Sequence, residues 1–150
     1  MIKKVNILNK KAKFEYQLLD QFSAGIVLTG TEIKSIRDNK ASISESFCEF
    51  NSSGELFIIN MFIDEYTFGN HHNHQTRSQR KLLLNKKELN KLFKEVRNTG
   101  LTIIPLKVYI NDNGFAKVLI SLAKGKKMYD KRQVIKNREN KIQLDRLKKK

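Results

Sequence analysis

Three histidines lie close together in the chain and are its first candidates for chemistry. His71, His72 and His74 stand in a polar stretch, and imidazole is the commonest transition-metal ligand. Neither a cysteine nor a carboxylate lies close enough in the sequence to complete a tetrahedral set. The pattern favours a histidine-rich surface loop. The enzyme alternative is a metal-dependent nuclease, whose RNA turnover a chelator would abolish.

The single cysteine, Cys48, is the only candidate thiol nucleophile. It excludes a disulfide framework and fits a reducing compartment. Its alternating strand pattern is typical of a small buried thiol, and a nucleophile would need a histidine partner, which only the histidine stretch offers. Because paired acids and a glycine-rich phosphate loop are also missing, the sequence predicts no catalytic residue, no metal, no cofactor and no enzymatic activity.

Basic residues give the stronger signal. Lys and Arg number 30 against 15 Asp and Glu, a net charge of +15, which attracts polyanions such as nucleic acid or an acidic membrane surface. Clusters occupy residues 9–13, 77–81 and 124–132. With 23 Lys against 7 Arg, phosphate contacts should outweigh base readout, and Tyr129 suits stacking on an unpaired base. Three clusters around one small domain favour RNA as the partner.

The positive charge is concentrated at the end of the chain. Residues 124–150 carry twelve cations and three anions, net +9, which leaves +6 for residues 1–123. Placed on a helix, residues 131–150 spread their cations nearly all round and form no apolar stripe, so this helix is not expected to be stable alone. We therefore predict a packed domain at 1–123 and a basic tail at 124–150, disordered when free and helical against an anionic partner.

Strand patterns dominate the predicted domain. Apolar and polar residues alternate over residues 14–18, and short apolar runs follow at 24–28 and 47–50. The turn chemistry of residues 51–54 and 111–114 predicts one hairpin over 47–59 and another over 101–122. Pro105 removes a hydrogen-bond donor, so its strand is expected to be an edge there or to carry a bulge.

Two helices interrupt these strands. Asn85 is a candidate N-cap with Glu88 in the capping-box position, and apolar residues repeat at helical spacing up to Gly100. A shorter helix is predicted over residues 32–37. Many short strands with few helices predict a mainly β fold, a small antiparallel OB-like β-barrel followed by the basic tail. With no 20-residue apolar span and no signal peptide, we expect a cytoplasmic protein.

Four segments together resemble the SmpB family of SsrA-binding proteins, which partner transfer-messenger RNA (tmRNA, or SsrA RNA) in bacterial ribosome rescue. They are residues 9–12, 24–37, 80–84, and 124–127 with 130–132. The segments stand in family order, and the resemblance extends along nearly the whole chain, from Asn9 to about Arg146. The resemblance implies an OB-like barrel that binds the tRNA-like domain of tmRNA.

The resemblance also implies how such a complex acts. In a ribosome stalled without a codon, the body replaces the codon–anticodon part of a tRNA, and the tail lies as a helix in the empty mRNA channel. By the same resemblance, elongation factor Tu would deliver the charged RNA, and we expect the protein to be a monomer in the bacterial cytoplasm. A structural ribosomal protein is the alternative from another class, and it would copurify stoichiometrically with every ribosome.

Site residues follow from the resemblance position by position. The tmRNA-binding set is Asn9, Lys10, Lys11, Gly25, Glu32, Lys34, Arg37, Arg80, Lys81, Leu84 and Lys117. The set for the ribosomal decoding centre and mRNA channel is Lys124, Lys126, Lys127, Tyr129, Asp130, Lys131, Arg132, Lys136 and Arg138. Ser23 stands where many family members carry a glutamate. It keeps a hydroxyl but loses the charged acceptor.

Overall fold

A computed structural model describes residues 5–69 and 72–126 of the 150-residue chain. The strands are β1 (Asn6–Leu8), β2 (Tyr16–Ile26), β3 (Ala41–Ser42), β4 (Phe47–Phe50), β5 (Leu56–Ile59), β6 (Phe62–Ile63), β7 (Arg80–Leu83), β8 (Thr102–Ile110) and β9 (Ala116–Gly125). The helices are α1 (Ala12–Glu15), α2 (Gly30–Arg37) and α3 (Lys86–Thr99).

Within the described residues, strands of one sheet close into an antiparallel barrel. The order around the ring is β8, β4, β5, β7, β2 and β9, and a second pairing between β9 and β8 completes it. Strand β1 adds beside β8, while β3 and β6 form a separate pair. The predicted mainly β fold, a small antiparallel barrel with a few helices, is confirmed.

Both predicted hairpins are confirmed, and an asparagine side chain stabilises the turn of each. The Oδ1 atom of Asn51 accepts hydrogen bonds from the backbone N–H groups of Ser53 and Glu55, at 3.0 and 2.8 Å. Asn111 accepts in the same way from Asn113 and Phe115, at 3.1 and 2.8 Å. Because Asn side chains can replace backbone partners inside a turn, the local sequence specifies both connections.

The barrel interior is filled by the inward residues of the alternating strands. Leu56 and Ile58 of β5 face Val118 and Ile120 of β9 within one continuous apolar core. Leu92 of α3 is fully buried in the same core. Burying each such side chain stabilises the fold by about 1.5–3 kcal/mol relative to leaving it exposed.

The predicted long helix is present as α3, with its caps where the sequence placed them. The side chain of Asn85 accepts from the backbone N–H of Glu88 at 2.9 Å, and Gly100 ends the helix at a φ of +68°. The reciprocal capping box occurs instead at α2, between Thr29 and Glu32. No helix in the described residues is long and apolar enough to cross a membrane.

Two local predictions need adjustment, and one choice that the sequence left open is settled. Phe14 lies in α1 rather than in a strand, because the chain makes one helical turn before β2 begins. A bulge between Pro105 and Lys107 accommodates the missing proline donor, which settles the choice left open for that strand. Strand β9 continues through Gly125, so Lys124 belongs to the last strand of the barrel. The predicted tail beyond residue 126 lies outside the described residues.

Candidate RNA interface

Strands β2 and β9 form a long antiparallel ribbon whose two ends carry different predicted RNA-binding residues. Gly25 pairs with Lys117 at one end, and Tyr16 pairs with Gly125 at the other. Eight residue steps along β9 separate these ends by roughly 26 Å at about 3.3 Å per residue. We call them the groove end, around Gly25 and Lys117, and the tail end, around Tyr16 and Gly125.

An open groove of about 360 Å³ lies at the groove end. Its lining comes from β2, α2, β7 and the β8–β9 hairpin, and consists of Gly25, Ile26, Leu28, Ile33, Arg37, Leu83, Gly114, Phe115, Ala116 and Lys117. Among residues 5–69 and 72–126, no carboxylate lies within 4 Å of the cationic groups of Arg37 or Lys117. Both charges are therefore available to phosphate groups.

Gly25 forms part of the groove floor. A Cβ atom added there would lie 3.4 Å from the Cβ of Leu83 and 3.7 Å from the Nζ of Lys117. These are ordinary van der Waals distances, so alanine would fit, but a longer side chain would fill the space between β7 and the lysine. The absence of a side chain keeps the groove open beside a free cation.

Glu32 and Arg80 are buried against each other, with side chains only 4% and 2% exposed. Arg80 donates to the Glu32 carboxylate and also to the carbonyl oxygens of Met61, at 2.6 Å, and Gln75, at 3.1 Å. Glu32 Oε1 accepts from the backbone N–H of Thr29 at 2.9 Å. A direct RNA contact by either side chain conflicts with this burial, so both are corrected to positioning residues.

The pair holds three elements in place around the groove. Glu32 starts α2, which carries Arg37, and Arg80 belongs to β7, which carries Leu83. Two of the carbonyls bound by Arg80, those of Gln75 and Thr76, belong to the connection that leads from β6 to β7, and the third, that of Met61, lies between β5 and β6. Removing either charge would leave the other buried without a partner, which is strongly destabilising.

Other predicted tmRNA contacts near the groove have neighbours of their own. Lys34 is exposed, with its Nζ 5.4 Å from the ring centroid of Tyr66. Lys81 pairs with Glu55 at 2.5 Å. Leu84 is partly buried and packs against the barrel core.

Leu83, which the sequence analysis did not single out, lies in the groove instead and is 51% exposed. The pleat of β7 turns Arg80 and Leu82 inward, so that Lys81 and Leu83 face outward. The apolar run of residues 82–84 gives no indication of which leucine is exposed. Only the strand register supplies that information.

At the tail end, Asn9 links the N-terminal segment to the bulge of β8. Its Nδ2 donates to the carbonyl oxygen of Pro105 at 2.9 Å, and its backbone N–H donates to that of Leu106, also at 2.9 Å. Asn9 Oδ1 accepts from the backbone N–H of Lys11 at 3.3 Å. These bonds give Asn9 a structural role that positions the lysines after it.

The same end fixes the start of the tail. The backbone N–H of Lys126 donates to the carbonyl oxygen of Glu15 at 3.0 Å, and its Nζ donates to that of Lys13 at 2.9 Å. The structure thus brings residues 9–13 beside residues 124–126, although the resemblance assigned the first set to tmRNA and the second to the ribosome. Lys10 and Lys124 are exposed here.

An exposed ion pair also lies at the tail end. Lys11 Nζ is 2.5 Å from Glu45 Oε1. This hydrogen bond and the accompanying charge attraction raise the pKa of Lys11 and lower the pKa of Glu45. One cation of the N-terminal cluster therefore has a local anionic partner, unlike Arg37 and Lys117.

The remaining ribosome-facing predictions fall outside the described residues. They are Lys127, Tyr129, Asp130, Lys131, Arg132, Lys136 and Arg138.

The histidines of the candidate metal site that the structure describes are His72 and His74. His74 Nδ1 lies 2.9 Å from Thr31 Oγ1, and Nε2 lies 3.0 Å from the carbonyl oxygen of Ile63. His72 is exposed, and His71 lies outside the described residues. In the part of the chain that the structure describes, no three potential ligands form a metal-binding group.

Cys48 is buried, which is the commonest situation for a thiol in an alternating strand but which the sequence alone left open. Burial raises the pKa of its thiol, and a thiol that stays protonated is a poor nucleophile. Ser23, at the position where many family members carry a glutamate, already has a hydrogen-bond partner within the protein. Its hydroxyl is hydrogen-bonded to the hydroxyl of Tyr109 at 2.5 Å.

Comparison with known proteins finds relatives along nearly the whole chain. The family model described as SmpB protein matches residues 6–150. The chain is 63% identical over 145 residues to the SsrA-binding protein of Christiangramia forsetii, covering 97% of this chain and 92% of that protein. It is 62% identical over 149 residues to the SsrA-binding protein of Flavobacterium psychrophilum, covering 99% of each.

A solved structure is similar as well. A chain in the structure reported as "tmRNA-SmpB: a journey to the center of the bacterial ribosome" matches with a TM-score of 0.68 at 44% sequence identity. The match covers 83% of this chain and 86% of that chain.

Proposed function

The chain belongs to the SmpB family, a family of RNA-binding proteins rather than enzymes, and we propose that it is the adaptor of trans-translation. It binds tmRNA through the tRNA-like domain and brings this RNA to stalled ribosomes. The names of its relatives, SsrA-binding proteins, support the RNA partner. The similar chain from a tmRNA–SmpB structure at the bacterial ribosome supports the ribosomal partner.

The observation that carries this proposal is the groove end. Arg37 and Lys117 both line an open groove, and no carboxylate among the described residues lies within 4 Å of them. Cations without local anionic partners bind phosphate more strongly, because no existing ion pair has to be broken. A rigid barrel holds both groups at fixed positions, which suits a folded RNA.

The two ends of the ribbon divide the work. The groove end binds the tRNA-like domain of tmRNA, and the body then replaces the codon–anticodon part of a tRNA. The tail end directs residues 127–150 toward the decoding centre, where the tail probes the empty mRNA channel as a helix. Because residues 9–13 adjoin Lys126 in the structure, we place Lys10 and Lys11 on the ribosomal side as well.

Further partners follow from this role. Elongation factor Tu takes part indirectly, through the charged tmRNA, and the adaptor acts as a monomer in the bacterial cytoplasm. The boundary between the body and the tail lies at residues 124–126. Strand β9 ends there, and Lys126 donates a hydrogen bond to a backbone carbonyl of α1.

Sequencing of the RNA that copurifies with the chain tests the proposal. We expect one abundant RNA with a tRNA-like end, and a variant carrying Arg37→Ala and Lys117→Ala together should recover far less of it. Ribosome occupancy should rise when messages without stop codons are expressed. Constant, stoichiometric occupancy of all ribosomes would instead identify a structural ribosomal protein and contradict the adaptor role.

A further inference from the structure

Phe115 is one of the most exposed aromatic residues in the described part of the chain. Its side chain is 65% accessible and stands at the mouth of the groove, directly after the turn between β8 and β9. Within the described residues, no aromatic pair or cation–π contact involves its ring. The ring faces are therefore open to a ligand.

The backbone that carries this ring is held firmly. The backbone N–H of Phe115 donates to Asn111 Oδ1 at 2.8 Å, and its carbonyl oxygen accepts from the backbone N–H of Asn111 at 2.9 Å. Gly114 precedes it at a φ of +83°, a conformation that suits glycine. A ring on a fixed hairpin loses little backbone freedom when it binds, which favours affinity.

The neighbours of the ring in the groove are both apolar and cationic. Leu83, 51% exposed, supplies an aliphatic surface, and Arg37 and Lys117 supply two positive charges. A nucleotide needs this combination, because its base has flat apolar faces while its backbone carries negative phosphate. RNA-binding proteins commonly stack unpaired bases on aromatic side chains beside such cations.

We propose that Phe115 stacks on an unpaired nucleobase of the RNA in the groove, while Arg37 and Lys117 bind the adjacent phosphates. This inference rests on the proposed function and adds a base contact to it. The base belongs to a loop nucleotide, since both faces of a paired base are covered by its stacked neighbours.

A single tryptophan can report this contact, because the chain contains none. We would introduce Phe115→Trp into the full chain and titrate it with the transcribed tRNA-like domain of tmRNA. Stacking should quench the indole fluorescence in step with binding measured by mobility shift. The matched control is Phe47→Trp, a 40% exposed site on β4, which lies opposite β2 in the six-strand ring.

The outcomes separate the inference from the proposed function. Quenching of the tryptophan at position 115 but not at position 47 supports stacking. Tight RNA binding with unchanged fluorescence at position 115 overturns the stacking contact and leaves the adaptor role standing. Failure of the unaltered chain to bind the RNA overturns both.

A second set of variants tests the energetic consequence. Phe115→Ala should weaken RNA binding about 10- to 100-fold, the size of one lost base–aromatic stack, and Phe115→Tyr should restore most of it. The slope of log affinity against log salt should stay unchanged, because no phosphate contact is lost. Unchanged RNA affinity in Phe115→Ala overturns the inference, and if ribosome association falls instead, the ring contacts the ribosome rather than tmRNA.

Discussion

The groove end and the tail end of the β2–β9 ribbon both present cations, but they hold them differently. At the groove end, Arg37 and Lys117 line an apolar groove without a carboxylate within 4 Å in the described residues. At the tail end, Lys126 is bound by backbone carbonyls and Lys11 by Glu45. The groove end keeps its charges for a ligand, whereas the tail end uses part of its charge to fix the path of the chain.

The two ends also differ in the interactions that hold their cationic residues in position. The buried pair of Glu32 and Arg80 links α2 to β7, two of the elements that line the groove. The tail end depends on surface hydrogen bonds, such as those of Asn9 to the β8 bulge. A rigid groove suits recognition of one folded RNA, and an anchored exit suits the tail that we propose to enter the mRNA channel.

Removing residues 127–150 is expected to have the largest effect on activity. It should separate the activity of the groove end, RNA binding, from that of the tail end, peptide tagging. A chain that stops after Lys126 retains every described element, so it should bind the tRNA-like domain almost as tightly as the full chain. Peptide tagging on ribosomes stalled without a stop codon should be abolished. Mobility-shift titration and a reconstituted tagging reaction measure the two activities, and loss of RNA binding ahead of tagging would contradict the division of labour.

Breaking the buried pair is the next largest perturbation, and it should act on the groove end. Arg80→Met leaves the Glu32 carboxylate buried without its partner, so the free energy of unfolding should fall by about 3–5 kcal/mol. Urea denaturation measures this loss. The double variant with Glu32→Gln should recover much of the stability, because it removes the orphaned charge.

The double variant also distinguishes positioning from contact. If the pair acts only by holding α2 and β7, the double variant should keep the full salt dependence of RNA binding, since the number of phosphate contacts is unchanged. A salt slope reduced by about one contact would mean that Arg80 reaches the RNA, contrary to its burial.

Local chemistry explains which parts of this architecture could be predicted from the sequence. Asn51, Asn111 and the caps of α3 act within a few residues of themselves, so their patterns predict turns and helix ends directly. The basic clusters were also recognisable from composition. Their grouping was not, because residue 13 meets residue 126 only after the whole barrel has closed.

The sequence could not predict which side chains of a strand are buried and which face the solvent. Arg80 and Lys81 are adjacent cations, yet the pleat of β7 buries the first and exposes the second. The partner of Arg80 lies 48 residues away, at Glu32. Phe115 and Leu83 became candidate contacts only when the strand register placed them in one groove.

Deletions of single charges are expected to have effects of intermediate size, and they compare the two ends directly. Lys117→Ala should weaken binding of the tRNA-like domain and reduce the magnitude of its salt slope by about one. The matched variant at the tail end is Lys10→Ala, an exposed lysine on the other end of the ribbon. It should leave that affinity and slope unchanged while weakening association with the small ribosomal subunit.

These two variants can break the proposed arrangement. Equal losses of tmRNA affinity from Lys117→Ala and Lys10→Ala would show that one continuous surface, rather than two ends, binds the RNA. Fluorescence anisotropy at several salt concentrations provides both the affinity and the slope.

The smallest expected effect comes from the exposed pair of Lys11 and Glu45. The bond to Lys11 lowers the pKa of Glu45, so the pair's contribution is complete above the ordinary glutamate pKa and is lost as the pH falls through the lowered pKa. At neutral pH, Glu45→Gln should free Lys11 and slightly strengthen association with the small ribosomal subunit, without changing tmRNA affinity. Subunit binding and carboxylate titration by NMR measure these effects. A stronger effect on tmRNA than on the subunit would contradict the assignment of the tail end to the ribosome, because a cation released at one end acts on the ligand that this end binds.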